Sequence, residues 1–391
     1  MISQVVHAHR ILTPHEELHD RVILIQDGRI TAIGHRDEIQ VPADARDIVA
    51  RDTIVVPGFV DIHIHGAGGH DVMEATPEAL STVADRVARH GTTSLLATTV
   101  SASPDETCCS LAGIAAYIAS PANRPSPHRS TAEFLGIHLE GPFISHLRRG
   151  VHPESALEAP SIPLFEKFLA AAAGTARILT VAPELQGALE LIDRAVKENV
   201  VAAIGHTDAT YEQAQAAIEH GAKHAVHVFN AMRPFSHRDT GVIGAVLTHS
   251  DVTAEIIADG VHVDSPAVEI LLASKGSDRV ILVSDGIAAT GMPDGDYHLG
   301  TIDVHVVKGV ARNAEGRLAG STLTLDRAVS NMAQLNVSLI DAIRMATLNP
   351  ARRLGLAGKK GVIAAGADAD LVFLNQDLTV AGVMTRGIGP E

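Results

Sequence analysis

The stretch VVPGFVDIHIHGAGG, residues 55–69, sets His63 and His65 one residue apart inside an apolar run. Two imidazoles at that spacing can hold a divalent metal. The chain has 22 histidines, however, and His7 and His9 in VVHAHR share the spacing, so the pair needs partners. Further apolar runs end in Glu140 (FLGIHLE), His206 (VVAAIGHT), His227 (HAVHVFN) and Asp285 (RVILVSD). Nitrogen and carboxylate donors of this kind suit Zn²⁺, with Fe²⁺ as the alternative. Six donors exceed what one tetrahedral ion needs. Either Glu140 bridges two ions, or one site is tight and the other weak or empty. The chemistry in view is that of one or two bound divalent ions. No Gly-x-Ser-x-Gly elbow is present, which disfavours a serine nucleophile.

Such donors must be brought together by the fold. Between residues 57 and 353, eight apolar runs alternate with alanine-rich segments of helical period, such as TPEALSTVADRVARHG and DATYEQAQAAIEHG. That alternation predicts an α/β (β/α)8 TIM barrel. The near-continuous apolar strands suit a parallel sheet covered by helices. A doubly wound sheet is the rival, but no glycine-rich phosphate fingerprint follows the first strand. In a barrel, the C-terminal strand ends form the active face. His63 and His65 then point the same way, because side chains two apart share a face. His138 also points inward and stays unassigned. His7 and His9 lie among the β-rich runs at the chain start, with no converging partners.

Residues 1–56 and 354–391 are strand-like, and RVILIQDGRITAIG reads as a hairpin around Asp27-Gly28. The two termini are expected to form one small β-sandwich domain, flanking a barrel over 57–353. Residues 297–320 read as a β insertion late in the barrel.

Composition narrows the partners. The 391 residues are 46% hydrophobic and 20% charged, ordinary for a soluble protein. Net charge is −15, from 31 Lys plus Arg against 46 Asp plus Glu, which argues against nucleic acid. Aromatics are 3% and Trp is absent, so stacking platforms are not expected. No apolar run approaches a membrane span, and the N-terminal residues carry no signal core. Cys108 and Cys109 are adjacent and cannot staple distant segments. A cytoplasmic location is expected.

Several motifs together resemble the N-acetylglucosamine-6-phosphate deacetylases of the amidohydrolase superfamily. They are PGFVDIHIHG, GIHLEGPFISHLRRGVHP, LTVAPE, IGHTDAT, HVFNAMRPFSHRDTG, IADGVHVD, LVSDGIAATGMPDGDY, LAGSTLTLDRAV and MATLNPARRLG. The resemblance spans residues 20 to 375. It implies metal-dependent release of acetate from N-acetylglucosamine 6-phosphate, a small amino-sugar phosphate. It implies that Glu140, His206 and His227 hold one ion, and that His63 and His65 hold a second beside Asp285. Asp285 resembles the acid/base, and His262 the residue that contacts substrate and polarises its carbonyl. His152, Asn230, the Ala231 backbone and the turn Leu318-Ala319-Gly320 match substrate-contacting positions. Arg238 matches an arginine reaching the phosphate across a homodimer interface, whereas Arg148 and Arg149 read as a solvated pair. Gly286 stands where alanine is usual, and a looser turn is expected there. Three other readings stand beside this one. They are an N-acetylgalactosamine 6-phosphate deacetylase, a cyclic-amide hydrolase (although no strand-end lysine presents itself), and an inactive scaffold relative.

Overall fold

The computed structural model describes residues 3–126 and 129–389. The chain opens with β1 (Ser3–Leu12), β2 (Glu17–Gln26), β3 (Arg29–Gly34) and β4 (Arg46–Pro57). β2 and β3 form the expected hairpin, with Gln26 opposite Arg29 across Asp27-Gly28. β1 pairs antiparallel with β2 and parallel with β4.

The barrel begins with β5 (Phe59–Ile64), followed by the two-residue strands β6 (Gly66–Ala67) and β7 (His70–Asp71). Its other staves are β8 (Thr92–Thr99), β9 (Glu133–Glu140), β10 (Ala176–Val181), β11 (Val201–Ile204), β12 (His224–Ala225), β13 (Thr253–Ile256) and β14 (Val280–Leu282). Among the described residues, β5 and β8 to β14 form one eight-stranded sheet in sequence order. The sheet closes just beyond its strand ends, where Asp285 N donates to His63 O at 2.9 Å and His65 N to Gly286 O at 2.7 Å. The closing seam of the barrel thus runs through four of the residues singled out above. β5 and β8 are buried on both faces, as a sheet wrapped by helices requires.

The helices obey local signals. α1 (Pro77–Ala88) starts at Thr76, whose side chain accepts from Ala79 N, with proline in its first turn. It buries Leu80, Val83, Ala84, Val87 and Ala88, one stripe of helical period laid against the barrel. The segment around 208–221 forms a helix over Tyr211–Glu219, capped by Thr210 in a reciprocal box with Gln213.

The insertion is an antiparallel sheet of β15 (Gly295–Leu299), β16 (Ile302–Val307) and β17 (Val310–Asn313). After the barrel come β18 (Leu371–Leu374) and β19 (Val380–Met384). They extend the N-terminal sheet in the order β19-β18-β4-β1-β2-β3. The sheet folds back on itself: Ile30 N donates to Ala367 O and Ala369 N to Gly28 O, both at 2.9 Å, just before β18. A second apolar core, with Val6, Ile23, Ile30, Leu371 and Phe373, fills the space so enclosed, as in a small sandwich. No helix among the described residues is long and apolar enough to cross a membrane.

Candidate active site

Glu140, the last residue of β9, is the hub of the barrel mouth. Its Oε1 lies 2.9 Å from His227 Nε2, and 3.2 Å from both His206 Nε2 and His63 Nε2. Its Oε2 lies 3.3 Å from His65 Nε2 and 3.5 Å from His152 Nε2. Asp285 Oδ1 stands 3.3 Å from His65 Nε2 and 3.5 Å from His63 Nε2. All six predicted donors therefore converge. Three of them, His206, His227 and Asp285, have positive φ of 45°, 26° and 50°. Left-handed backbone costs a non-glycine residue about 1–3 kcal/mol, and it clusters where function over-determines geometry. Here it breaks each strand direction at the rim.

Hydrogen bonds fix which imidazole nitrogen faces the hub. His63 Nδ1 donates to Glu255 Oε2 at 2.8 Å, His65 Nδ1 to Thr98 O at 3.0 Å, and His206 Nδ1 to Arg148 O at 3.0 Å. With the proton on Nδ1, each neutral ring aims a bare Nε2 lone pair at the Glu140 carboxylate. Acceptors then face acceptors, an arrangement that needs a cation between them. His63 Nε2 is buried and has no hydrogen-bond partner, and His227 Nδ1 is likewise unpartnered. Bonds of about 2.0–2.1 Å in a tetrahedral zinc site place neighbouring ligand atoms about 3.3 Å apart. Glu140, His206 and His227 stand 2.9–3.2 Å from one another. The separations of His63 and His65 from Glu140 and Asp285 fall in the same range, at 3.2–3.5 Å. Both donor sets fit a divalent ion, and Glu140 belongs to both.

Charge follows geometry. Burial works against the Glu140 carboxyl's charge, but the rings of His63 and His206 outweigh it and hold the group well below the usual range. Burial likewise opposes a charge on His65, yet Asp285 and Glu140 raise it to about 9. Without an ion between the donors, these carboxylates would draw a further proton onto the ring; a divalent ion takes that proton's place.

Two neighbouring histidines are not ligands. His138 is pushed down to about 3, chiefly by burial. Its Nδ1 donates to Ile62 O at 3.1 Å and its Nε2 sits 2.8 Å from Thr180 Oγ1, so both nitrogens are spent inside the protein. His152 accepts the Ser101 backbone N–H at Nδ1, 3.1 Å away. Its Nε2 must then carry the proton, which makes it a donor to the cleft. Burial drives its pKa down to about 4, so the ring is neutral.

The cleft is lined by His65, Glu140, His152, His206, His227, Asn230, Ala231, His262, Asp285, Leu299, Leu318 and Gly320, with Gly150 and Val151. Ala319 turns its side chain away, into the apolar core under the insertion. Arg238 also lies outside the lining. It is exposed on the turn bridged by Ser236 and Asp239, with no ion pair or hydrogen bond to any described residue. His262 Nδ1 stands 2.7 Å from Asp259 Oδ2. Burial opposes its charge, but Asp259 wins and raises the ring above its ordinary pKa. His7 and His9 lie on β1 beside Asp47 and Asp20, away from the site.

Two expectations need correction. Arg148 and Arg149 are braces rather than a solvated pair: Arg148 Nε donates to Asp208 at 2.8 Å, and Arg149 Nη1 to His152 O at 2.7 Å. The Gly286 turn is tight rather than loose. A Cβ there would lie 2.6 Å from Thr290 Oγ1, and the Gly286 carbonyl accepts from both His65 N and Gly66 N. Sequence reasoning also missed Glu255, Asp259 and Ser101, which orient His63, His262 and His152. The acid inside the apolar run TAEII was a signal for Glu255, whereas nothing local marked Ser101.

The amidohydrolase family profile matches residues 54–388. The N-acetylglucosamine-6-phosphate deacetylase of Bacillus subtilis (strain 168) is 36% identical over 385 residues, covering 96% of this chain and 94% of that protein. The N-acetylgalactosamine-6-phosphate deacetylase of Escherichia coli O157:H7 is 38% identical over 387 residues, covering 99% of both. A mutant N-acetyl-D-glucosamine-6-phosphate deacetylase from Mycobacterium smegmatis, solved in complex with N-acetyl-D-glucosamine-6-phosphate, superposes with a TM-score of 0.91. It shares 39% identity, with 99% of each chain covered. On its residues, its fold and these likenesses, the chain belongs to the amidohydrolase family, among its N-acetylglucosamine-6-phosphate deacetylases.

Proposed function

We propose that this chain hydrolyses N-acetyl-D-glucosamine 6-phosphate to D-glucosamine 6-phosphate and acetate. One observation carries the reading: the imidazoles of His63, His65 and His206 have their protons locked away from Glu140 and their lone pairs aimed at it. That is a metal-dependent hydrolase centre, and relatives of near-full coverage carry the deacetylase name.

In this reading Glu140, His206 and His227 hold one divalent ion, and His63 and His65 hold a second beside Asp285. Zinc is proposed, with iron as the alternative. A bound ion supplies a water of lowered pKa and polarises the acyl oxygen. Asp285 would take a proton from the attacking water as it adds to the acyl carbon and pass it to the departing amine nitrogen as the C–N bond breaks. Burial opposes the Asp285 charge, but His65 and its neighbours keep the group ionised and ready to accept. His262, its Nδ1–H held by Asp259, donates from Nε2 to the developing oxyanion when it is imidazolium. His152 Nε2–H, Asn230, the Ala231 backbone and the Leu318-to-Gly320 turn orient the sugar.

Arg238 is proposed to bind the phosphate in the neighbouring site of a homodimer, since a guanidinium pairs bidentately with phosphate oxygens. Its exposure and lack of an internal partner support this. A barrel over 57–353 and a small domain from 1–56 with 354–391 are proposed as the domain division; residues 1, 2, 127, 128, 390 and 391 lie outside the described structure. The free thiols of Cys108 and Cys109 support a cytoplasmic location.

The galacto epimer is the second reading, favoured by the 38% identical Escherichia coli relative. Acetate release measured on both 6-phosphates decides between them. Greater kcat/KM on the gluco substrate supports the proposal, and greater kcat/KM on the galacto substrate replaces it.

A further inference from the structure

The turn between β15 and β16 separates two cavities. Leu299 lines the active cleft, while Gly300 and Thr301 line a second cavity of about 340 Å³ that also touches Asp71, Val100 and Ser101. The partition is one turn thick. The body of the insertion is held by an apolar core that includes Val100, Ile287, Leu299 and Val304. Its tip is held by a polar contact: Gly300 N donates to Asp71 Oδ2 at 2.7 Å. Asp71 is 5% exposed, and its other oxygen accepts Met73 N at 2.7 Å, capping the short 3-10 turn Val72–Glu74. That turn is tied in its own right to the metal-site strand, because Val72 N donates to His65 O at 2.8 Å. Gly300 has φ of 56°, and a Cβ there would lie 2.5 Å from Val100 Cγ1. The tip is thus pressed against the end of β8 and bolted to Asp71.

We propose that Asp71 is a positioning residue of the substrate pocket, fixing the Leu299 wall and through it substrate affinity. It touches none of the reacting groups. Those groups sit at barrel strand ends, so a loosened wall weakens ground-state and transition-state binding alike. KM then rises and kcat holds. The proposal rests on the deacetylase reading for the identity of the substrate.

Asp71→Asn isolates the contact. Asparagine is a good N-cap, and its single carbonyl can keep the Met73 amide. Its amide group then faces Gly300 N–H, donor against donor. The expected result is a KM for N-acetylglucosamine 6-phosphate raised about tenfold, with kcat within about twofold of wild type. Backbone hydrogen exchange should quicken across residues 297–307 in the substrate-free protein. Gly300→Ala, which pushes the tip from the other side, should give the same pattern, and the double variant should do little more than either alone. Unchanged KM and unchanged exchange in both variants would overturn the proposal, as would a fall in kcat at constant KM. Should Asp71→Asn not fold, Gly300→Ala carries the same comparison. A wild-type protein releasing no acetate from either 6-phosphate would sink the deacetylase reading instead, and the exchange measurement would still decide the role of Asp71.

Discussion

Nδ1 of His63 stands 2.8 Å from the Glu255 carboxylate, and that bond makes His63 offer a lone pair, not a proton, to the hub at Glu140. Glu255 is fully buried and also accepts His224 Nε2 at 2.8 Å and the His227 backbone N–H at 3.2 Å. One carboxylate therefore steadies a member of each donor set. Replacing it with leucine should cut metal affinity or activity about 10–100-fold, the usual effect of losing a ligand's orienting partner. Metal content by mass spectrometry, with circular dichroism to verify folding, checks this. Full metal content and full turnover would remove Glu255 from the account.

Asp285→Asn preserves shape and removes the proton acceptor. We expect kcat to fall by about 10²–10⁴ while KM moves little. The ion held by Glu140, His206 and His227 should remain in the purified variant. A variant with undiminished turnover would show that another group carries the proton.

The pH dependence turns on His262. With Nδ1–H committed to Asp259, its Nε2 donates only while the ring is charged. Its raised pKa keeps it charged to higher pH than an ordinary histidine, and activity is lost as pH climbs through that value. Asp259→Asn removes the raising carboxylate, so the alkaline limb of kcat/KM should move to lower pH. A limb that stays put, or moves to higher pH, contradicts the assigned role.

The barrel was legible because its strands are short apolar runs and the segments between them, such as 76–91 and 208–221, carry a helical period. The six donors were legible because they fall at strand ends. Their orienting partners were not. Thr98 acts through its backbone carbonyl, which no residue type signals. Ser101 meets His152 only because two loops distant in sequence come together. Likewise Arg148 and Arg149 looked solvated, since nothing in LRRG announces Asp208 or the His152 carbonyl. The tightness at Gly286 depends on Thr290 folding back over it, a contact set by the closing seam.

Lys360 offers a test away from the cleft. Glu133, Asp368 and Asp370 cluster as if to bind a cation, but Lys360 Nζ already stands among them at 2.7, 3.1 and 2.7 Å. Glu133 opens β9 and Asp370 precedes β18, so the cluster joins the barrel to the small sheet. Lys360→Met leaves the buried Asp370 without an ion pair, while Arg386 still reaches Glu133 and Asp368, and should cost about 3–5 kcal/mol of stability. Denaturant melts should register this, with KM unchanged. A melt at the wild-type midpoint would contradict it.

The central claim is that residues of the barrel mouth hold an ion without which the amide is not cleaved. It is tested most directly by assaying acetate release from N-acetylglucosamine 6-phosphate on one sample before chelation, after chelation and after Zn²⁺ is restored, with metal content measured at each stage. The account predicts turnover that disappears with the metal and returns with it. Full turnover by metal-free protein, or none by metal-loaded protein, would contradict it.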